Sequence, residues 1–118
     1  MSRLYHVTVN VESINPEHLS EVADAAEDKS CISEPFDTLK KGIYGAGMVS
    51  LTGGQSEQEY VTAVSRAIWI ANRGYCEISI GMSCLEDAPL YCLGREHYAE
   101  SKDYVEESIE SLDCDRHA

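Results

Sequence analysis

The chain has 118 residues, 43% of them hydrophobic, and sets 21 Asp and Glu against 9 Lys and Arg for a net charge of -12. A chain of that length holds one domain with one core, and acid of that density repels polyanions and attracts basic surfaces. No stretch approaches the ~18 consecutive apolar residues of a membrane span, and residues 1–11 lack the layout of a signal peptide, so a cytoplasmic protein with no membrane contact is expected.

Residues 4–12 alternate, with Tyr5, Val7, Val9 and Val11 on one face and His6, Thr8 and Asn10 on the other, as a half-buried strand requires. Asn15 before Pro16 reads as a helix N-cap with proline at the first helical position, and Leu19, Val22, Ala23 and Ala26 continue at helical spacing to about residue 28. A weak extended segment over 36–40 runs into a turn at Lys41 and Gly42, and a glycine-loosened strand follows over 43–52. Gly53 and Gly54 end it. Ser56 with Glu59 three residues on forms a capping box for a helix over 57–73 whose buried face carries Val61, Val64, Ile68 and Ala71, with Gly74 at the C-cap. Residues 75–84 alternate again, with Cys76, Ile78, Ile80 and Met82 on one face. Residues 85–101 are mixed, with room for a short edge strand, and a last helix is expected over 102–112 with Val105, Ile109 and Leu112 as its apolar stripe.

The order strand, helix, strand, strand, helix, strand predicts an α+β fold, a ferredoxin-like βαββαβ sandwich over residues 1–84. An acidic extension over 85–118 adds a helix, within one domain spanning 1–118. The strands 4–12 and 75–84 are expected to be neighbours under the two helices. In such a fold residues 41–51 take the place where RNA-recognition-motif domains carry a basic-glycine-aromatic consensus, and they are similar to it in Gly and Val spacing. Ala46, Met48 and Leu51 stand where the stacking aromatics belong, and phosphate contacts need cations, so no direct nucleic-acid binding is expected. The glycines of this strand point instead to a bulge or to close packing against a helix.

Five cysteines (Cys31, Cys76, Cys84, Cys92 and Cys114), odd in number and irregular in spacing, suit reduced thiols. Cys84, Cys92, His97, Cys114 and His117 gather late in the chain but contain no Cys-x-x-Cys pair, so neither a metal nor any other cofactor is expected. An enzyme would have to be built on Cys84, Asp87 and His97. The acids Glu86 and Asp87 beside Cys84 disfavour its thiolate, and a non-enzymatic protein is the reading preferred. His6 and His18 stand isolated, and Gly53-Gly54 before a helix carries no phosphate-loop motif.

Charge patterning is sharper. Glu17, Glu21, Asp24 and Asp28 recur at steps of four, three and four, and Asp103, Glu107 and Glu110 build a second row on the last helix. Residues 85–118 alone hold 10 acids and 3 bases. Such rows either keep the surface solvated or present a polyanion to a basic groove. Trp69 and Ile70 fall at the edge of, or away from, the apolar stripe of their helix. Either the C-terminal segment covers them, through residues 90–93, or a second subunit does.

The expected function is that of a small acidic binding protein, with Glu17, Glu21, Asp24, Asp28, Asp103, Glu107 and Glu110 facing a basic protein partner. An inhibitor of a basic nucleic-acid-binding protein, of the kind carried by phages, plasmids or toxin-immunity pairs, would use such a surface. The alternative is a dimeric ferredoxin-like regulatory or small-ligand-binding module, a homodimer with Trp69 and Ile70 at its interface.

Overall fold

The computed structural model describes residues 3–32, 36–38, 41–51, 56–83 and 90–117, with side chains described over 5–32, 36–38, 41–51, 56–83 and 90–111. Its elements run β1 (Arg3–Glu12), a 3-10 turn (Pro16–His18), α1 (Leu19–Ser30), β2 (Asp37–Thr38), β3 (Ile43–Leu51), α2 (Glu57–Asn72), β4 (Glu77–Ser83), β5 (Leu90–Leu93) and α3 (Arg95–His117). The fold is α+β: among the described residues, a five-stranded sheet in the order β2-β3-β1-β4-β5, antiparallel at every pairing, with three helices. No helix among the described residues is long and apolar enough to cross a membrane.

β1 is the centre of the sheet, paired with β3 from Arg3↔Leu51 to Val11↔Ile43 and with β4 from His6↔Ser83 to Glu12↔Glu77. Its alternation sends Tyr5, Val7, Val9 and Val11 under the helices, beside Ile43, Val49 and Leu51 of β3 and Ile78, Ile80 and Met82 of β4, all buried. α2 lies between its two neighbours, packing on α1 along one flank and on α3 along the other. Its buried arc is wide (Tyr60, Val61, Val64, Ser65, Ile68, Trp69 and Asn72), because it meets the sheet and two helices at once. Ala71, expected on that face, is only partly buried.

Helix ends depart from expectation in instructive ways. Asn15 does not cap: its side chain makes no cap hydrogen bond, and its backbone N–H donates to Asn72 Oδ1 at 2.8 Å. Pinned to the far end of α2, the chain makes a 3-10 turn over Pro16–His18 before α1 starts at Leu19. Ser56 does cap, its Oγ accepting from the Glu59 N–H at 3.1 Å. α2 ends on Arg73 in the left-handed region (φ 58) rather than on Gly74, with Arg73 N–H to Ile70 O and Gly74 N–H to Trp69 O, each 3.2 Å. α3 begins at Arg95, well before the expected residue 102. The Tyr98 N–H already donates to Gly94 O at 3.2 Å, and Tyr98, Ser101, Val105 and Ile109 form the stripe facing the body.

The glycines of β3 mark no bulge, since its pairing with β1 is unbroken. They make room. A Cβ on Gly45 would overlap the Phe36 ring, and one on Gly47 would lie 2.9 Å from Ile32 Cγ2, so the strand passes directly beneath these two side chains. Gly45→Ala should therefore destabilise by about 1 to 3 kcal/mol through overpacking. The loss should be smaller when Phe36 is already Ala, a coupling that a double-mutant cycle in denaturant reads out. Additive losses would mean the ring gives way freely.

Candidate interaction surfaces

All seven acids singled out by spacing are exposed. Glu21, Asp24 and Asp28 project from α1, whereas Glu17 sits on the 3-10 turn before it. Glu21 also faces His18, with Oε1 3.7 Å from Nδ1. On α3 the early start lengthens the second row: Glu96 and Glu100 precede Asp103, Glu107 and Glu110 at steps of four, three, four and three, and all five are exposed. At 1.5 Å per residue this row runs about 21 Å. The rows on α1 and α3 do not merge into one surface, because α2 stands between their helices and both lean on it. They are separate ridges.

Cations at the foot of the α3 ridge are held by aromatic rings. Arg66 of α2 stacks over Tyr104 at 4.7 Å and donates from Nε to Ser101 Oγ at 3.2 Å, while Arg95 stacks over Tyr75 at 4.7 Å. Lys102 pairs with Glu106 at 3.9 Å, both well exposed, a contact worth little on its own. Between α2 and α3 lies a groove of about 210 Å³ lined by Arg66, Trp69, Leu93, His97, Glu100 and Ser101 among others.

Trp69 is not a surface residue. It is 1% exposed, with its ring edge-on to Tyr98 of α3 (centroids 5.2 Å apart, planes at 86°) and Nε1 donating to Cys76 O at 3.0 Å. Ile70 is partly buried against the same core. The first turns of α3 supply the cover, with Leu93 of β5 beside them, so Trp69 is buried within the single chain.

Among the described residues the thiols and imidazoles do not converge. Cys76 is buried, and burial pushes its thiol up to about 12, which leaves it inert. Cys31, Cys92 and His97 are exposed on different elements. Cys84, Asp87 and the side chains of Cys114 and His117 lie outside the described residues. Among the described residues no three His, Cys, Asp or Glu side chains are grouped to hold a metal ion.

Two features have no signature in the sequence. Tyr5 of β1 and Tyr91 of β5 both donate to the Glu57 carboxylate, at 3.2 and 3.1 Å, tying the head of α2 to the sheet. Burial, then the hydrogen bond to Glu57 and its charge, raises the Tyr91 phenol above its ordinary value. The second is a hollow of about 430 Å³ at the end of the sheet, lined by Ser13, Asn15, Lys41, Asn72 and Tyr75 among others. Asn72 is fully engaged there, its Oδ1 accepting from Asn15 and its Nδ2 donating to Gly74 O and Tyr75 O.

Spacing alone did not assign the helix-free face of the sheet. It carries Tyr44 (42% exposed), Met48 (53%) and Leu90 (64%), three of the four exposed large hydrophobic side chains among the described residues. Comparison with protein-family models, curated proteins and solved structures finds no match to this chain.

Proposed function

We propose that this chain is a small acidic, non-enzymatic binding protein with a ferredoxin-like core, whose α3 ridge docks on a basic protein as an inhibitor of a nucleic-acid-binding protein would. The antiparallel order β2-β3-β1-β4, with β5 added beside β4, supports the ferredoxin-like reading of the first four strands. The observation that carries the function is the row Glu96, Glu100, Asp103, Glu107 and Glu110, in which no Lys or Arg falls. Carboxylates repeated at successive turns, about 5 to 6 Å apart, offer a basic groove a rigid line of negative charge. Exposed free thiols at Cys31 and Cys92 suit a reducing cytoplasm, where such a partner would be met.

The test compares the wild-type chain with a variant carrying Glu96→Gln, Glu100→Gln, Asp103→Asn, Glu107→Gln and Glu110→Gln. Because these side chains point to solvent, circular dichroism and thermal stability should be unchanged or slightly improved. A basic nucleic-acid-binding protein retained by the wild-type chain should associate with the variant at least about tenfold more slowly. The wild-type affinity should fall as salt rises from about 50 to 200 mM, where the screening length shortens. Neutralising Glu17, Glu21, Asp24 and Asp28 in a second variant assigns the contact to one ridge or the other. A partner that binds all three proteins equally and without salt dependence would overturn the reading.

A further inference from the structure

Cross-strand register sorts the helix-free face into columns. On β3 the outward residues are Tyr44 and Met48, both large, alternating with Ala46 and Ser50; on β4 they are Ser79, Gly81 and Ser83, all small, with Glu77 at one end. β1 runs between the two columns with His6, Thr8 and Asn10 outward. Met48 and Ser83 both pair with His6, while Tyr44 and Ser79 both pair with Asn10, so each large side chain has a small one at the same level on the other side of β1. Beyond β4, Leu90 of β5 stands level with Gly81, between those two rows.

We propose that this face is where two copies of the chain pack, related by a two-fold axis running along β1. Such an axis keeps the level along the strand and exchanges the two sides. It therefore lays the β3 column of one copy over the β4 column of the other: Met48 above Ser83, Tyr44 above Ser79, and the converse. Each Leu90 then falls beside the partner's Tyr44 and Met48. One operation covers all the exposed large hydrophobic side chains of the face, with the two sheets aligned as packed sheets prefer. A two-fold axis across the strands would instead set large column on large.

Charge selects the same occupant. In a chain of net charge -12 the centre of this face carries no acid; Asp37 on the outermost strand and Glu12 with Glu77 at one end lie on its rim. A core free of carboxylates inside a polar rim is the anatomy of a protein interface. A basic partner finds no counter-charge at its centre, and Tyr44 and the His6 imidazole are the aromatic rings that the described strands turn outward, too few to form a platform for nucleic-acid bases. The acidic ridges belong to the helix layer behind the sheet, so face-to-face copies keep them apart. Strands about 4.8 Å apart, ten residues long at β1 but only two at β2 and four at β5, give a flat area on the order of 500 Å², and the corrugated accessible area exceeds it, near the ~600 Å² per partner of the smallest stable interfaces.

The test is the mass of the intact chain in solution, by light scattering and sedimentation equilibrium over a range of concentrations. The wild-type protein should approach twice 13.1 kDa. Met48→Lys and Ser83→Glu, each at an outward position, should separately weaken dimerisation at least tenfold while circular dichroism and melting temperature stay those of the wild type. Mixed together, the two variants should form a heterodimer by native mass spectrometry, because the introduced cation then opposes the introduced carboxylate. Leu90→Lys repeats the test should either variant fail to fold. The variant neutralised along α3 should dimerise as the wild-type chain does, which keeps this proposal separate from that of the basic partner. A wild-type chain that stays monomeric throughout, or substitutions that leave its dimer constant unchanged, would overturn it.

Discussion

Replacing Trp69 by Ala should cost about 3 to 5 kcal/mol, the range of large aromatic truncations in a packed core. The side chain is 1% exposed, meets Tyr98 edge-on, and donates to Cys76 O, so the substitution opens a cavity and orphans a buried carbonyl together. Trp69→Phe divides the effect: most of the volume stays, the indole N–H is lost, and about 1 to 3 kcal/mol should go with the unmet carbonyl. Denaturant midpoints measure both. Because Tyr98 belongs to α3, Trp69→Ala should also raise hydrogen exchange along that helix before the sheet is affected. Equal stability of the Ala and wild-type proteins would show that α3 does not rest on this ring.

Ile80→Ala should cost about 2 to 5 kcal/mol. Ile80 is 0% exposed, lies in β4 opposite Val9 of β1 and Tyr91 of β5, and faces the helices from near the middle of the sheet. A cavity there has rigid walls on both strand sides and little freedom to collapse. In a domain whose whole stability is on the order of 5 to 15 kcal/mol, such a loss should be plain in a chemical melt. A change below about 0.5 kcal/mol is the size of a surface effect and would remove Ile80 from the core.

Strict alternation made β1 and β4 legible, because a strand buried on one face writes its period of two into the sequence, whereas β3 showed only as a glycine-loosened strand. Ser56 and Glu59 marked the start of α2 for an equally local reason. The failures are where tertiary contacts decide. Asn15 has the residue type of an N-cap, yet its backbone N–H is drawn to Asn72, fifty-seven residues away. The first two turns of α3 carry Glu96, His97, Ala99 and Glu100 around a single Tyr98, too thin an apolar signal to be read as helix. Trp69 looked marginal because one helix on one sheet buries a narrow stripe. A third helix alongside widens the buried arc, and nothing local announces it. Spacing alone places the acids of the candidate surface in rows, but their division into two ridges depends on which helix stands in the middle. The columns of the open face depend on register across strands, which alternation within each strand does not contain.

The position of β1 governs when, as well as how, the sheet closes. It is the first strand in the chain and the middle one in space, bonded to partners as distant as Leu51 and Ser83. Until those segments are present and have come back to it, its apolar row has nothing to pair with and both its edges are open. Loop-closure entropy must therefore be met before the first sheet contacts repay it, which sets this chain among the slower-folding small domains rather than with the helical ones. The helices, formed from neighbouring residues, can flicker into place early; the central strand waits for its two flanks.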